Sequence, residues 1–385
     1  MTTSTSDPTL DRAALDDLLA RARRDIDEGR VPACQVAIGL HGELVAFEAF
    51  GEATSDTRFI VFSCSKAVTA GAVWRAIGDG LLDPSDPVAK HLPSFGTHDK
   101  EHITLEQVLT HTGGFPTAPL PVEAWTDREL RLTKYGRWRT TWAPGSRYEY
   151  HPMSAHWVAV DVVCAVTGHD DHRTMLRELV LDPLGLDGFR VGLVDEPDPR
   201  PFATLRPVGE WMTEAEVESL TGIAGLDMAD LGGVAETALL GLNLPVAQDG
   251  GLPGGGGLGT AADLAMLYQA FLTNPDELWD PAVLADGIGH VRSTLPDPMW
   301  QNPSNRTLGL VTKASGAGES RSIGGKASSG RTFGHGGAGG QIAWADPETG
   351  LSVGYVTNGL ERNLIAEYKR SAALNNRAAN VARRS

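Results

Sequence analysis

A serine hydroxyl and a lysine amine three residues apart, in Ser63-Cys64-Ser65-Lys66, are the side chains in this sequence best placed to do chemistry. From Val68 onward apolar residues recur at helical spacing, at Val68, Val73, Ala76, Ile77 and then Leu81, so the tetrapeptide opens a helix. Positions i and i+3 of a helix share a face, which makes Ser63 and Lys66 neighbours in space. A serine hydroxyl is a poor nucleophile at neutral pH and needs an adjacent base. A lysine becomes that base when burial or neighbouring charge lowers its pKa. The N-terminal end of a helix helps, because it disfavours a cation and stabilises a developing oxyanion. Alone, the spacing is weak: the same residues also describe an ordinary helix start with a solvated lysine. Cys64 is a nucleophile by residue type, but no motif places a base beside it.

Several elements must position that pair. Asp11 to Gly29 has helical periodicity (Leu15, Leu18, Leu19, Ala22, Ile26) and ends at a glycine. Two short apolar strands around His41-Gly42 form a hairpin signal. After the Ser63 helix, the stretch Asp83 to Phe95 predicts a proline-rich surface crossing. Residues from about Ile103 to Leu242 read as helices and long loops. The glycine-rich run from Gly250 to Gly259 leads into a helix capped by Thr260, with Asp263 in its first turn. That run lacks the Gly-Lys-Ser/Thr ending of a phosphate loop and the dinucleotide spacing after a strand. Strands return at Thr307–Thr312, Thr332–His335, Gly340–Ala345 and Leu351–Thr357, the last two joined by an Asp-Pro-Glu-Thr-Gly turn. A final helix is expected from about Asn363 to Ala382. The pattern is α+β, with both ends of the chain building one sheet. It predicts a sheet subdomain over about 10–62 and 260–385, a helical subdomain over about 63–259, and disorder over 1–9.

Composition narrows the function. A chain of 385 residues is long enough for two subdomains or one large α/β unit, and 41% hydrophobic with 21% charged residues is ordinary globular composition. A formal charge of −16 argues against nucleic acid or an anionic membrane surface as partner. No apolar run reaches the length of a membrane span, and the N-terminus has no basic segment followed by an apolar one. Cys34, Cys64 and Cys164 are odd in number and have no metal-type spacing, so they read as reduced thiols of a cytoplasmic protein.

Three further segments follow Ser63-Cys64-Ser65-Lys66 in order: Ile103 to Pro116 with its Thr-His-Thr-Gly-Gly core, Pro144-Gly-Ser-Arg-Tyr-Glu-Tyr150, and Phe333-Gly-His-Gly-Gly-Ala-Gly-Gly340. With them, nearly the whole chain resembles the serine β-lactamase and penicillin-binding-protein-like family, in its class C-type branch. The resemblance implies an antiparallel sheet flanked by terminal helices, with an all-helical region beside it and the active site between them. It implies Ser63 as nucleophile, Lys66 as its paired lysine, and Tyr150 as the third catalytic group. A tyrosine beside Lys66 is expected to have a lowered pKa and to relay the serine proton to the leaving group. Which of the two is the base stays open. The resemblance also implies His335, Gly336 and Gly337 as a substrate-binding strand on the sheet edge, and the amides of Ser63 and Ala338 as the oxyanion hole. His151 is a further substrate-binding candidate, and His111 is expected to be structural.

Two departures from the family pattern bear on substrate. Tyr150-His151-Pro152 stands where many relatives have Tyr-x-Asn, so the asparagine that holds a substrate amide is missing. His335 replaces the lysine that relatives acting on β-lactams place near the substrate carboxylate. The expectation is a hydrolase free of metal and cofactor, cleaving small carboxylic esters through an acyl-enzyme. Amidase, D-amino-acid peptidase, β-lactamase or acyltransferase chemistry on the same site is the alternative. A ligand-binding protein on a hydrolase scaffold is the alternative outside catalysis.

Overall fold

The computed structural model describes residues 9–193, 200–221, 228–298, 301–315 and 323–383. Its centre is a six-stranded antiparallel sheet. In chain order the strands are β1 (Ala33–Leu40), β2 (Glu43–Gly51), β3 (Val311–Thr312), β4 (Phe333–Gly334), β5 (Ile342–Asp346) and β6 (Leu351–Thr357). Across the sheet they run β2-β1-β6-β5-β4-β3, so the two ends of the chain meet where β1 pairs with β6. The hairpin at His41-Gly42 and the turn between β5 and β6 are as the sequence predicts.

Period-two alternation gives each strand two apolar faces. On one face Val36, Ile38, Val353 and Tyr355 pack against Leu15, Leu18 and Ala22 of α1 (Arg12–Asp27). Leu374 and Ala378 of the C-terminal helix, Leu364–Ala378, join the same layer. On the other face Ala37, Ala343 and Val356 meet Leu264, Ala265 and Tyr268 of the helix Ala261–Thr273. The cap of that helix is as read: Thr260 and Asp263 form a reciprocal capping box. Asp11 and Asn363 cap the two terminal helices.

The Ser63 helix, α2 (Lys66–Gly78), is buried on nearly all sides rather than along one stripe: every residue from Lys66 to Trp74 is buried. It lies against α3 (Ser154–Thr167) in the same apolar core as the second face of the sheet. A buried charge cluster ties the neighbouring helix Arg128–Tyr135 to α3. Arg131 makes a bidentate pair with Asp161 (2.9 and 2.8 Å), and the Tyr135 hydroxyl donates to Asp161 at 2.6 Å.

Four local expectations need correction. The proline-rich stretch is not a surface crossing: it forms two short helical turns, Val88–His91 and Pro93–Phe95, with Val88, Leu92 and Phe95 buried. Thr9 is not disordered, since Thr9–Leu10 pairs with Ala382–Arg383, while residues 1–8 lie outside the described residues. That pairing also ends the C-terminal helix at Ala378, short of Ala382. The predicted strands over 307–312, 332–335 and 340–345 shorten to β3, β4 and β5. The Gly339 and Gly340 backbone has φ of +72° and +84°, a turn geometry that cannot continue a strand.

Candidate active site

The chain enters the site along Phe59–Ile60, which pairs with Leu258–Gly259 at the end of the glycine-rich run. Val61 continues this contact, its N–H donating to the Gly257 carbonyl at 2.9 Å. Phe62 then adopts φ +47° and ψ −133°, a costly conformation for a bulky residue that turns the backbone sharply into Ser63. One turn of 3-10 helix, Ser63–Ser65, leads into α2. The Ser65 hydroxyl is spent on structure: it donates to Phe62 O at 2.6 Å and accepts from Gly257 N–H at 2.9 Å.

Ser63 and Lys66 are brought together as their spacing predicts, with Nζ 3.2 Å from Oγ. Ser63 is partly exposed and Lys66 fully buried. Nζ also donates to the carbonyl oxygen of Pro152 at 2.9 Å and to that of Gly254. Gly254 has no room for a side chain, since a Cβ there would stand 2.6 Å from Pro152 O. Burial pushes the Lys66 pKa well below its usual value, and the Arg306 guanidinium pushes it further. A neutral amine has two N–H bonds, which the two carbonyls accept, and its lone pair then faces the Ser63 proton.

The Tyr150 hydroxyl lies 2.8 Å from Ser63 Oγ, so both expected partners converge on the Ser63 hydroxyl. The expected lowering of the tyrosine pKa is not found. Burial raises it well above the phenol value, against smaller lowering effects from Arg306 and the Ser63 hydrogen bond. Burial thus favours the neutral phenol, which donates to Ser63 Oγ, and disfavours the charged form of Lys66. Cys64 is fully buried, its thiol pushed up by burial and donating to His335 O at 3.2 Å.

Beyond β4 the chain keeps bonding toward β5, through His335 N–H to Ala343 O and Gly337 N–H to Gln341 O, both 3.0 Å. β4 itself is not an edge, because β3 covers Phe333–Gly334. The segment beyond β4 runs close beside the chain entering Ser63: a Cβ on Gly337 would stand 2.6 Å from Val61 O. Among the described residues neither the Ser63 nor the Ala338 amide has a backbone acceptor, and both residues are partly exposed, as are Gly336 and Gly337.

Two histidines read as substrate-binding are engaged internally instead. His151 is fully buried; its Nε2 accepts from Phe115 N–H at 3.0 Å and its Nδ1 lies 2.6 Å from Glu149 O. His335, 6% exposed, accepts at Nε2 from Arg306 Nη1 (3.1 Å) and so donates from Nδ1 to Gly336 O (2.7 Å). No ring nitrogen of either remains for a substrate. His111 is buried against Tyr150, ring centroids 4.7 Å apart, and accepts from His151 N–H, a packing role as expected.

Arg306 is the residue that sequence reasoning missed. Its Nε and Nη2 donate to the Tyr148 hydroxyl at 3.2 and 2.7 Å, and its guanidinium lies 5.2 Å from the Tyr150 ring centroid. A lone arginine in an Asn-rich loop carries no spacing signal. Among the described residues no cluster of three or more His, Cys, Asp or Glu side chains could hold a metal, and no helix is long and apolar enough to cross a membrane.

Comparison with known proteins agrees with this architecture. The protein named Esterase/beta-lactamase LipL, from Mycobacterium tuberculosis, is 28% identical over 333 residues, 81% of this chain and 72% of that protein. EstA from Arthrobacter nitroguajacolicus Rue61a has the same fold, with TM-score 0.76 at 22% identity over 97% of this chain and 99% of its own. A family VIII carboxylesterase gives TM-score 0.76 at 20% identity over 96% and 99%. A family model described as Beta-lactamase matches residues 15–376, and the chain therefore belongs to the beta-lactamase family.

Proposed function

We propose that the protein is a serine hydrolase that cleaves small carboxylic esters through an acyl-enzyme on Ser63. One observation carries this reading. The Lys66 amine sits 3.2 Å from Ser63 Oγ, fully buried, with two backbone carbonyls as its other partners and no carboxylate acting on it. Burial without a counter-ion favours the neutral amine, and here that amine faces a serine hydroxyl.

In the proposed reaction Lys66 Nζ takes the Ser63 proton as Oγ attacks the ester carbonyl carbon. The carbonyl oxygen becomes an oxyanion held by the N–H groups of Ser63 and Ala338. The C–O bond to the alcohol then breaks, and the leaving oxygen takes a proton from Tyr150, which recovers one from Lys66. Water, losing its proton to the same pair, attacks the acyl-Ser63 ester. Carboxylic acid leaves and the serine hydroxyl is restored. The names of LipL and of the family VIII carboxylesterase support ester substrates. So does the site, since Pro152 has no side-chain amide to hold a substrate amide and His335 offers no cation.

A panel of p-nitrophenyl esters assayed beside nitrocefin and D-alanyl amides tests the reading, with a fluorophosphonate probe reporting on Ser63. Ester turnover with Ser63 labelling is expected. Labelling with turnover only of nitrocefin or amides assigns the same machinery to the alternative substrates. Absence of labelling defeats the catalytic reading and leaves a binding protein.

A further inference from the structure

Arg306 is a buried cation with no anion beside it. It is 7% exposed, and no ion pair among the described residues includes it. Its backbone is fixed on both sides, with its N–H donating to Ser293 O at 2.9 Å and its carbonyl accepting from Arg292 N–H at 2.8 Å. The side chain is fixed too, by two bonds to the Tyr148 hydroxyl and one to His335 Nε2. Its guanidinium stands over the rings of Tyr148 and Tyr150, centroids 5.5 and 5.2 Å away, where aromatic faces stand in for a counter-ion. Taking a charge out of water costs several kcal/mol, and an arginine kept only for stability would be expected beside a carboxylate.

The surroundings leave that charge uncompensated. Cys64 and Lys66 face the site from the α2 end, Tyr148, Tyr150 and His151 from the segment before α3, His156 from α3, His111 from the loop after Leu105–Leu109, and His335 from the strand. Burial keeps the Cys64 thiol and the Tyr150 phenol protonated and the four histidines uncharged. Lys66 Nζ and the Arg306 guanidinium lie 5.0 and 5.2 Å from the same Tyr150 ring centroid, so a permanent positive charge stands near the amine and has the sign that disfavours a second cation.

We propose that Arg306 is a positioning residue for the Ser63 reaction: its fixed guanidinium holds Lys66 in the uncharged, proton-accepting form and locks His335 in one tautomer. This rests on the reading of Ser63 as nucleophile and Lys66 as its base. Arg306 touches no reacting atom and acts through Lys66 and His335.

The test is the pH dependence of the rate at which a fluorophosphonate labels Ser63, followed by intact mass from about pH 5 to 11. It compares the wild type with Arg306→Gln, which keeps hydrogen bonding without charge, and Arg306→Lys, which keeps charge without the planar fork. The wild-type acid limb is expected well below the lysine range. Arg306→Gln should move it up by about one pH unit or more, while Arg306→Lys lowers the plateau and leaves the limb near its wild-type position. Arg306→Met, which retains stem packing, replaces the glutamine variant if that does not fold. A lowered plateau with an unmoved limb in the uncharged variant reduces Arg306 to a packing residue and overturns the proposal. So does a lysine variant whose limb moves as far as the glutamine one, or a wild-type limb in the ordinary lysine range. Failure of the wild type to label at Ser63 defeats the parent reading instead, so the two failures are distinguishable.

Discussion

The Lys66 amine donates to the carbonyl oxygen of Pro152 across 2.9 Å. In sequence, Pro152 counts as a loss, because it leaves no side-chain amide at the position two residues after Tyr150. In space its backbone is one of the two carbonyls that hold the Lys66 amine. Gly254 supplies the other from the far side of the chain, and the Gly254 backbone approaches so closely that no side chain fits. The glycine-rich run is thus the wall behind the lysine.

The first prediction separates Ser63 from its neighbours Cys64 and Ser65. Ser63→Ala should lower kcat by at least about 10⁴-fold with little change in melting temperature, since Ser63 is partly exposed and its hydroxyl bonds only Lys66 and Tyr150 among the described side chains. Cys64→Ala should keep most activity. Ser65→Ala should cost about 1–3 kcal/mol of stability, because its hydroxyl bridges Phe62 O and Gly257 N–H. Intact-mass analysis with a slow ester should place one acyl group on the peptide carrying Ser63; an adduct on Cys64 contradicts the site.

The second prediction concerns pH. The folded pKa of Lys66 is lowered by burial and by Arg306, so the base is charged below that pKa and free above it. Activity should rise with pH through an apparent value below that of ordinary lysine. The Tyr150 pKa is raised by burial, so loss of its proton, and of activity, should come only above the ordinary phenol range. Both values belong to the coupled pair. A kcat profile that rises only near pH 10 would mean that Lys66 is an ordinary ammonium.

Local signals were legible where local physics decides. The helix opening at Ser63, the hairpin at His41-Gly42 and the Thr260 cap each depend on a few adjacent residues. Val88, Leu92 and Phe95 have i, i+4, i+7 spacing, yet the prolines around them outweighed that pattern and hid a buried turn. The two carbonyl partners of Lys66 were beyond sequence reading, because a backbone carbonyl has no residue type. For His151 and His335 the type was right for binding, but their ring nitrogens are spent on Phe115, Glu149, Arg306 and Gly336, contacts that only the fold assigns.

A third prediction concerns the buried charge cluster away from the site. Asp161 is fully buried and accepts from Arg131 and Tyr135. Asp161→Asn keeps the shape but leaves Arg131 charged without a counter-ion. Such a break costs about 3–5 kcal/mol, which chemical denaturation would read as a lower midpoint. An unchanged midpoint would show the cluster to be energetically neutral.

The final prediction concerns Tyr150. Tyr150→Phe keeps the ring between Arg306 and Lys66 and deletes only the hydroxyl that bonds Ser63 Oγ at 2.8 Å. Packing is retained, so the melting temperature should change little. The leaving alcohol then loses its Tyr150 donor, and the proton taken by Lys66 loses the hydroxyl that relays it. General acid–base contributions of this kind are about 10²–10⁴ in rate, so kcat should fall within that range. The loss should be largest for esters with poor leaving groups, which need protonation, and smallest for p-nitrophenyl esters, which do not. Tyr148→Phe removes the hydroxyl that anchors Arg306 and lies outside the proton path, so its loss should not depend on the leaving group. Equal sensitivity of both variants to the leaving group would assign Tyr150 a packing role, and the donor would have to be sought elsewhere in the site.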